Sequence, residues 1–500
     1  MKVLARNQKT LPQLPNELSM KFESIRLTAR NGCLLLIILF FSARCSKSQN
    51  AGADFNINTT NTPVNTAIHA GNLEAAHYDK KNFFIDWYSQ PYYERARQMA
   101  FNIYSWPGSS VSHSLYLIPG DTIATGPKRI GNGFNGKYLN WGQSPCAPTQ
   151  PQGYLVNHAV LDGVNCIDWK ISFAPYAVNW CRDVNAKMIT VLNANDYWWQ
   201  GDKAFLNWCN KKGVYSGIVV AGLELGGNNY SNKTDFPNGG MDYVKNVVTP
   251  LCDSMHRYFP GSMVVADVNP PQRGKKNEWN RAVADSKAEA VRAYILSGDL
   301  SYLSEGGSAK SYIDSINRAI ELYLPERLDL FQKTFPGKKL YIHQWQCTWQ
   351  PIRGTVLDML YCARYTNEIT RYDRGHPGYI IANCFNGNGR INLERKVPRI
   401  SFYALVQQGK MFRPGTTYSD VKTNYAGLDC IAVKDASGNH LRVVNMTPNS
   451  IPIHSISVNG KAITAYHGTS YFADAADSRT VTEKNISREI PPFSDTVIDF

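Results

Sequence analysis

Eight short apolar runs between residues 137 and 385 restrict the fold of this 500-residue chain more than any other feature. They are KYLNW (137–141), VNCIDWKI (164–171), KMITVLN (187–193), GIVVAGLEL (217–225), SMVVADV (262–268), AVRAYIL (290–296), KLYIHQW (339–345) and GYIIANCF (378–385). Amphipathic stretches such as AFLNWCNKKG and SYIDSINRAIELYL separate them. Short strands alternating with helices predict parallel βαβ units, and eight such strands match a closed (β/α)8 TIM barrel. An open doubly wound sheet is the rival. The count of eight and the lack of a Gly-rich phosphate loop after the first run weigh against it.

Beyond residue 410 the rhythm changes. Residues 427–472 alternate polar and apolar side chains over short stretches, with turn signals such as DASGN, and the chain ends IPPFSDTVIDF. This pattern predicts an antiparallel β-sandwich. The fold class expected is therefore α/β, a (β/α)8 barrel with a C-terminal antiparallel β-sandwich domain. Upstream, YERARQMAFNIYSW reads as a helix, and HSLYLIP (113–119) as a strand joining the sandwich.

The N-terminus reads as an export signal. A basic stretch leads into the apolar run CLLLIILFF, which is too short to span a bilayer, and then into SARC. Met20 is a candidate start. SARC resembles a bacterial lipobox, with Cys45 as the lipidated residue, and an ordinary cleaved signal is the alternative. Residues 46–75, rich in Asn and Thr, read as a flexible tether. The expected organisation is a signal over 1–45, a tether over 46–79, a segment joining the sandwich over 80–127, the barrel over 128–410 and the sandwich over 411–500. The expected location is outside the cytoplasm: an outer-membrane or cell-surface lipoprotein, or a periplasmic or secreted protein.

The net charge of +13 falls to +8 without residues 1–44, which hold seven Lys/Arg and two Asp/Glu. The remaining excess favours anionic partners but forms no long basic run, and no nucleic-acid-binding motif accompanies it. Nine cysteines remain once Cys33 and Cys45 are set aside. Most, including Cys166, Cys252, Cys362 and Cys384, sit in apolar segments and read as buried thiols. No Cys/His spacing suggests a metal, and no cofactor motif is present. Aromatic residues make up 12% of the chain, and their flat rings suit either a large core or a sugar-binding cleft.

A barrel followed by a sandwich resembles the retaining glycosidases of the α-L-arabinofuranosidase, β-xylosidase and heparanase-like type. GLELGGNNY is similar to their fourth strand, which ends x-E-x-G-N-E. LYIHQW is similar to their seventh strand, which ends T-E-W, and PPFSDTVIDF to the end of their sandwich. The resemblance covers most of residues 130–500. It implies that the Glu ending strand 4 is the acid/base and the Glu ending strand 7 the nucleophile. These positions fall here on Asn229, or on Asn228 in a shifted register, and on Gln344. Glu224 matches a bracing Glu of the strand-4 motif. An amide hydrogen-bonds a sugar hydroxyl, but it does not cycle a proton at neutral pH and is a very poor nucleophile. The resemblance therefore implies a barrel that binds glycan without the usual hydrolysis.

Other carboxylates near predicted strand ends offer an alternative catalytic pair: Asp267, Asp299 and Glu305, with Glu224. An inverting pair tolerates a separation of about 6.5–9.5 Å. The plainer readings are a loop cap, a helix N-cap and a solvated side chain. Candidate glycan contacts at strand ends are Asn140, Trp141, Asn193, Asn195, Trp198 and Trp199. Asn228, Tyr230, Asn269, Trp345, Trp349, Asn383 and Asn386 complete the set, all amides or aromatics except that some Asn residues merely shape turns. The loop NPPQRGKKNEWNR places Arg273, Lys275, Lys276 and Arg281 beside this face, where they suit a uronate or sulfate. The expected partners are a poly- or oligosaccharide, neutral or anionic, and a membrane through the lipid anchor. A third reading is a structural envelope protein whose barrel serves protein contacts.

Overall fold

The computed structural model describes residues 52–73, 92–106, 174–194, 199–222, 236–293, 307–345, 351–384, 391–392 and 397–500. After β1 (Ala53–Pro63), eight parallel strands close into a ring: β2 (Ala70–Asn72), β3 (Ile103–Trp106), β4 (Lys187–Asn193), β5 (Tyr215–Gly222), β6 (Met263–Asp267), β7 (Ala290–Ala293), β8 (Lys339–Trp345) and β9 (Ile380–Cys384). β9 pairs back onto β2 through Ala70↔Asn383 and Gly71↔Cys384. The strands alternate inward and outward as the pleat demands. Ile189, Val191, Ile218, Val220, Val265, Ala290, Tyr341 and Ile381 fill the barrel's interior. Outward residues such as Met188, Leu192, Val219, Val264, Val291 and Leu340 pack under the surrounding helices.

The last six barrel strands stand where the apolar runs predict. The first two do not. Residues 137–141 and 164–171 lie outside the described residues, and the ring of eight closes without them. β2 is only Ala-Gly-Asn, too short and too polar to register as an apolar run. β3 lies inside the stretch read as helix: the helix Tyr92–Met99 stops at Ala100, whose φ of 52° is left-handed. That backbone turn is invisible in a pattern of apolar spacing. Segment 80–127 therefore contributes to the barrel through residues 92–106, and HSLYLIP lies outside the described residues.

The tether expected over 46–79 is corrected as well. β1 sits inside the second sheet, parallel to β15 (Ile451–Val458) and antiparallel to β12 (Thr417–Thr423). Ala53, Phe55 and Ile57 point into that sheet's core. The intervening polar residues bond across the outer face: Ser455 Oγ donates to Asp54 (2.6 Å), Ser457 Oγ to Asn56 (2.8 Å) and Asn459 Nδ2 to Thr59 (2.9 Å). The Asn/Thr richness that suggested a flexible linker is the polar half of a period-two strand.

After a small hairpin, β10 (Ile391–Asn392) and β11 (Val397–Pro398), and the helix Phe402–Met411, the second domain follows. Its strands are β12 (Thr417–Thr423), β13 (Leu428–Asp435), β14 (Gly438–Asn445), β15 (Ile451–Val458), β16 (Lys461–Ala462), β17 (His467–Phe472), β18 (Thr482–Ile486), β19 (Glu489–Ile490) and β20 (Ser494–Asp499). They form one mixed sheet in the order β16-β15-β1-β12-β13-β14-β20-β17-β18, with β19 on β15, folded over its own apolar core like a sandwich. Leu441 and Val443 of β14 face that core, whereas Val444 faces the barrel's helices. Cys181, Cys209, Cys252 and Cys362 are buried thiols, and Cys430 is a half-buried one.

Guanidinium groups, two of them buried, fasten the sheet to the barrel. Arg442 of β14 is fully buried. It binds Asp495 of β20 bidentately (2.8 and 2.6 Å) and also donates to Thr366 Oγ1 and the Ala404 carbonyl on the barrel's helices. Asp429 of β13 accepts from Arg364 (3.2 Å) and Arg371 (2.6 Å) of the helix Val356–Gly375. Burial opposes the charge on Asp429, but Arg371 and Arg364 outweigh it and hold the carboxyl below its ordinary range. Removing one partner of a buried pair strands the other in low dielectric. Arg442→Met is therefore expected to cost about 3–5 kcal/mol in urea unfolding, and adding Asp495→Leu to restore most of it.

Candidate functional site

The site is built at the C-terminal ends of the barrel strands, where this architecture places its chemistry. Below that level the interior is aliphatic. Carrying the inward alternation one step up each strand replaces aliphatic residues with polar ones: Asn72, Ser105, Asp267, Arg292 and His343, all 0% exposed. The strand positions of Asn193 and Asn383 fall at the same level. Ser105 Oγ donates to Asn72 Oδ1 at 3.2 Å, tying β3 to β2.

Asp267 and Arg292 dominate this layer. They are register partners on adjacent strands. The guanidinium grips the carboxylate with both Nε and Nη2, the second contact at 2.7 Å. Burial disfavours the arginine's charge, but Asp267 overrides it and raises its pKa. His343 of β8 lies within Arg292's field. Burial, reinforced by that positive charge, holds its imidazole well below the ordinary range, so it is neutral at pH 7. The outer frame is equally fixed. Tyr243 Oη donates to the Ala221 carbonyl (2.7 Å) and accepts from the Asp267 amide (3.0 Å), and Trp279 Nε1 donates to the Asp267 carbonyl (2.9 Å). Tyr243 and Trp279 stack at 4.9 Å.

Two expected site residues are corrected by this geometry. Asp267 is not a free acid at a strand end. It is the only acidic residue on the eight barrel strands as described, and its oxygens are committed to Arg292. Trp345 does not face a cleft: it is 2% exposed and stacks on Tyr365 of the following helix at 4.7 Å. The cause is a register shift between Ile342 and Trp345. After the inward pair Tyr341 and His343, the irregularity turns Trp345 outward, out of step with strict alternation.

Of the remaining candidates, the backbone of Gln344 lies in β8, one residue before the strand's end, and those of Asn193 and Asn383 lie in β4 and β9. Asn269 follows β6, its backbone held by the side chain of Asn280. Trp199 opens the helix Trp199–Lys211 and packs near Tyr258 (6.0 Å). Asn140, Trp141, Asn195, Trp198, Glu224, Asn228, Asn229, Tyr230, Asp299, Glu305, Trp349, Asn386 and Cys45 lie outside the described residues. Among the described residues no cluster of His, Cys, Asp and Glu is arranged to hold a metal ion.

Reading by strand-end motif missed Arg292 and His343. A charged residue inside AVRAYIL and an imidazole inside LYIHQW were the available signals, since polar groups in a buried strand need partners. The committed carboxylate yields a direct test. Asp267→Asn keeps the shape but removes the counter-charge, and is expected to destabilise the protein by about 3–5 kcal/mol in urea unfolding. A catalytic but structurally idle Asp267 would instead leave stability unchanged.

No protein-family model matches the sequence, and no curated protein matches it by sequence. Solved structures do match in three dimensions. A family 51 α-L-arabinofuranosidase from Bifidobacterium longum superposes with a TM-score of 0.59 at 12% identity, covering 91% of this chain and 100% of that one. The GH51 arabinofuranosidase from Xanthomonas axonopodis pv. citri gives 0.57 at 11%, covering 89% and 99%. A Paenibacillus polymyxa xyloglucanase of glycoside hydrolase family 44 gives 0.50 at 12%, covering 89% and 99%. The chain thus has the two-domain fold of these (β/α)8-barrel glycoside hydrolases.

Proposed function

We propose that this protein is an exported, lipid-anchored glycan-binding protein on a glycoside hydrolase scaffold that has lost hydrolysis. The reading is supported above all by Gln344. It stands at the end of the seventh barrel strand, the position that the resemblance assigns to the catalytic nucleophile. A carboxamide there neither attacks an anomeric carbon nor holds a stable glycosyl ester. Among the described residues of the barrel strands the one acid, Asp267, is locked to Arg292 and is not free to replace it. Asn229, at the acid/base position of the strand-4 motif, points the same way from sequence. The capacity to hold sugar needs neither carboxylate, because amides and buried polar groups at a strand-end layer suit neutral hydroxyls. Arabinose- and xylose-bearing polysaccharides are the ligand class to try first, given the arabinofuranosidases and xyloglucanase that share the fold.

The full chain, assayed on arabinan, arabinoxylan and xyloglucan, is expected to be retarded in affinity electrophoresis while releasing no reducing ends. Sugar release that survives Gln344→Ala and vanishes in Asp299→Asn would overturn the reading and favour an active glycosidase with other carboxylates. A gain-of-function check is sharper. Nitrophenyl glycosides carry a leaving group that needs little acid assistance, so Gln344→Glu is expected to form a covalent glycosyl adduct with nitrophenyl α-L-arabinofuranoside, visible as added mass on the intact protein. The parent chain should show none.

A further inference from the structure

We infer that a groove on the barrel's flank, beside the loop after β6, is a second binding site that takes an acidic saccharide through its carboxylate or sulfate groups. The groove holds about 740 Å³. Three cations line it, Lys275, Lys276 and Arg281, against a single acid, Glu278. All three cations are exposed, and none forms an ion pair or hydrogen bond with a described side chain. The neighbouring Arg273 differs, since Glu326 partners it at 3.5 Å.

The loop that presents them is held in one shape. Asn280 clasps Asn269 in both directions, accepting from its amide (3.0 Å) and donating to its carbonyl (2.9 Å). Asn277 caps the helix Glu278–Ala284 by accepting from the Asn280 amide at 3.1 Å. Arg327 donates to the Pro271 carbonyl at 3.3 Å, and the Lys275 amide to the Gln272 carbonyl at 3.1 Å. A pinned loop loses little entropy when ligand arrives, so its charges act at low cost.

The rest of the lining sets the ligand class. Pro270, Pro271 and Ala284 supply apolar walls, and Gln272 and Asn277 supply amides. Uronate-bearing sugars present the matching features: a CH face, hydroxyls and a carboxylate. Single-stranded nucleic acid is the competing polyanion, but its sites stack bases on aromatic side chains, and this lining contains none.

The inference rests on the reading that the partner is a saccharide, but not on the fate of Gln344. The probes are polygalacturonate oligomers, the same oligomers fully methyl-esterified, and oligothymidylate of equal charge, titrated into the full chain by calorimetry. The acidic form is expected to bind about tenfold or more tightly than the ester, and the preference to vanish in K275Q/K276Q/R281Q with an unchanged melting temperature. Should that variant fail to fold, the parent chain in about 1 M salt gives a second arm, because screening there should erase the preference. Equal binding of acid and ester overturns this inference alone, as does a preference that survives the variant or the salt. Oligothymidylate binding as tightly as polygalacturonate overturns the saccharide assignment. Binding of neither sugar form overturns this inference, and if arabinan, arabinoxylan and xyloglucan are also not retained, the proposed function falls with it.

Discussion

The buried pair between Asp267 and Arg292 organises the functional end of the barrel. A guanidinium in the barrel's interior is tolerable only with a carboxylate in register beside it, and β6 and β7 supply the two at opposed positions. Once seated, the pair marks where the interior changes character. Beneath it are Val265, Ala290 and Tyr341, and at its level are Ser105, Asn72 and His343. It also fixes the protonation of what surrounds it, since Arg292's charge helps to keep His343 neutral. A neutral imidazole beside a closed ion pair is an environment for hydrogen bonding. Among the described residues the strands offer no further acid beside it.

That arrangement accounts for what the sequence did and did not disclose. β4 to β9 were legible because each is a continuous apolar run buried on both faces, as strands of a parallel barrel must be. β2 and β3 were not, because three residues of Ala-Gly-Asn carry no hydrophobic signal and the left-handed Ala100 separates helix from strand without changing the pattern. β1 was hidden by composition: its Asn and Thr residues serve the outer face while Ala53, Phe55 and Ile57 serve the core. At the site, Gln344 was legible through the likeness of LYIHQW to a strand ending T-E-W, since two of the six runs before it are not strands of the ring. Asp267 was misjudged because its partner lies 25 residues away on another strand. Trp345 was misjudged because a register shift in β8 cannot be read from spacing.

The joint between the domains follows the same economy of buried charge. Asp429 and Asp495 each meet arginines that reach across from, or are bonded to, the barrel's helices. Apolar contact alone would permit the sheet to slide on the helix Val356–Gly375. Directional bonds from Arg364, Arg371 and Arg442 permit one seating. In this chain the sheet is therefore held as a fixed wall of the same body.

β1 has a consequence for how the molecule is assembled. The strand is made early, yet its neighbours β12 and β15 lie more than 350 positions further along the chain. During synthesis it must wait, its apolar face uncovered, until β12 and β15 have emerged. Closing so long a loop costs only slightly more entropy than closing a shorter one, but it delays the contact. A fragment beginning at residue 411 would lack a central stave and expose two raw sheet edges to other chains. The two domains share one packed body, and neither can be cut away intact at the apparent boundary.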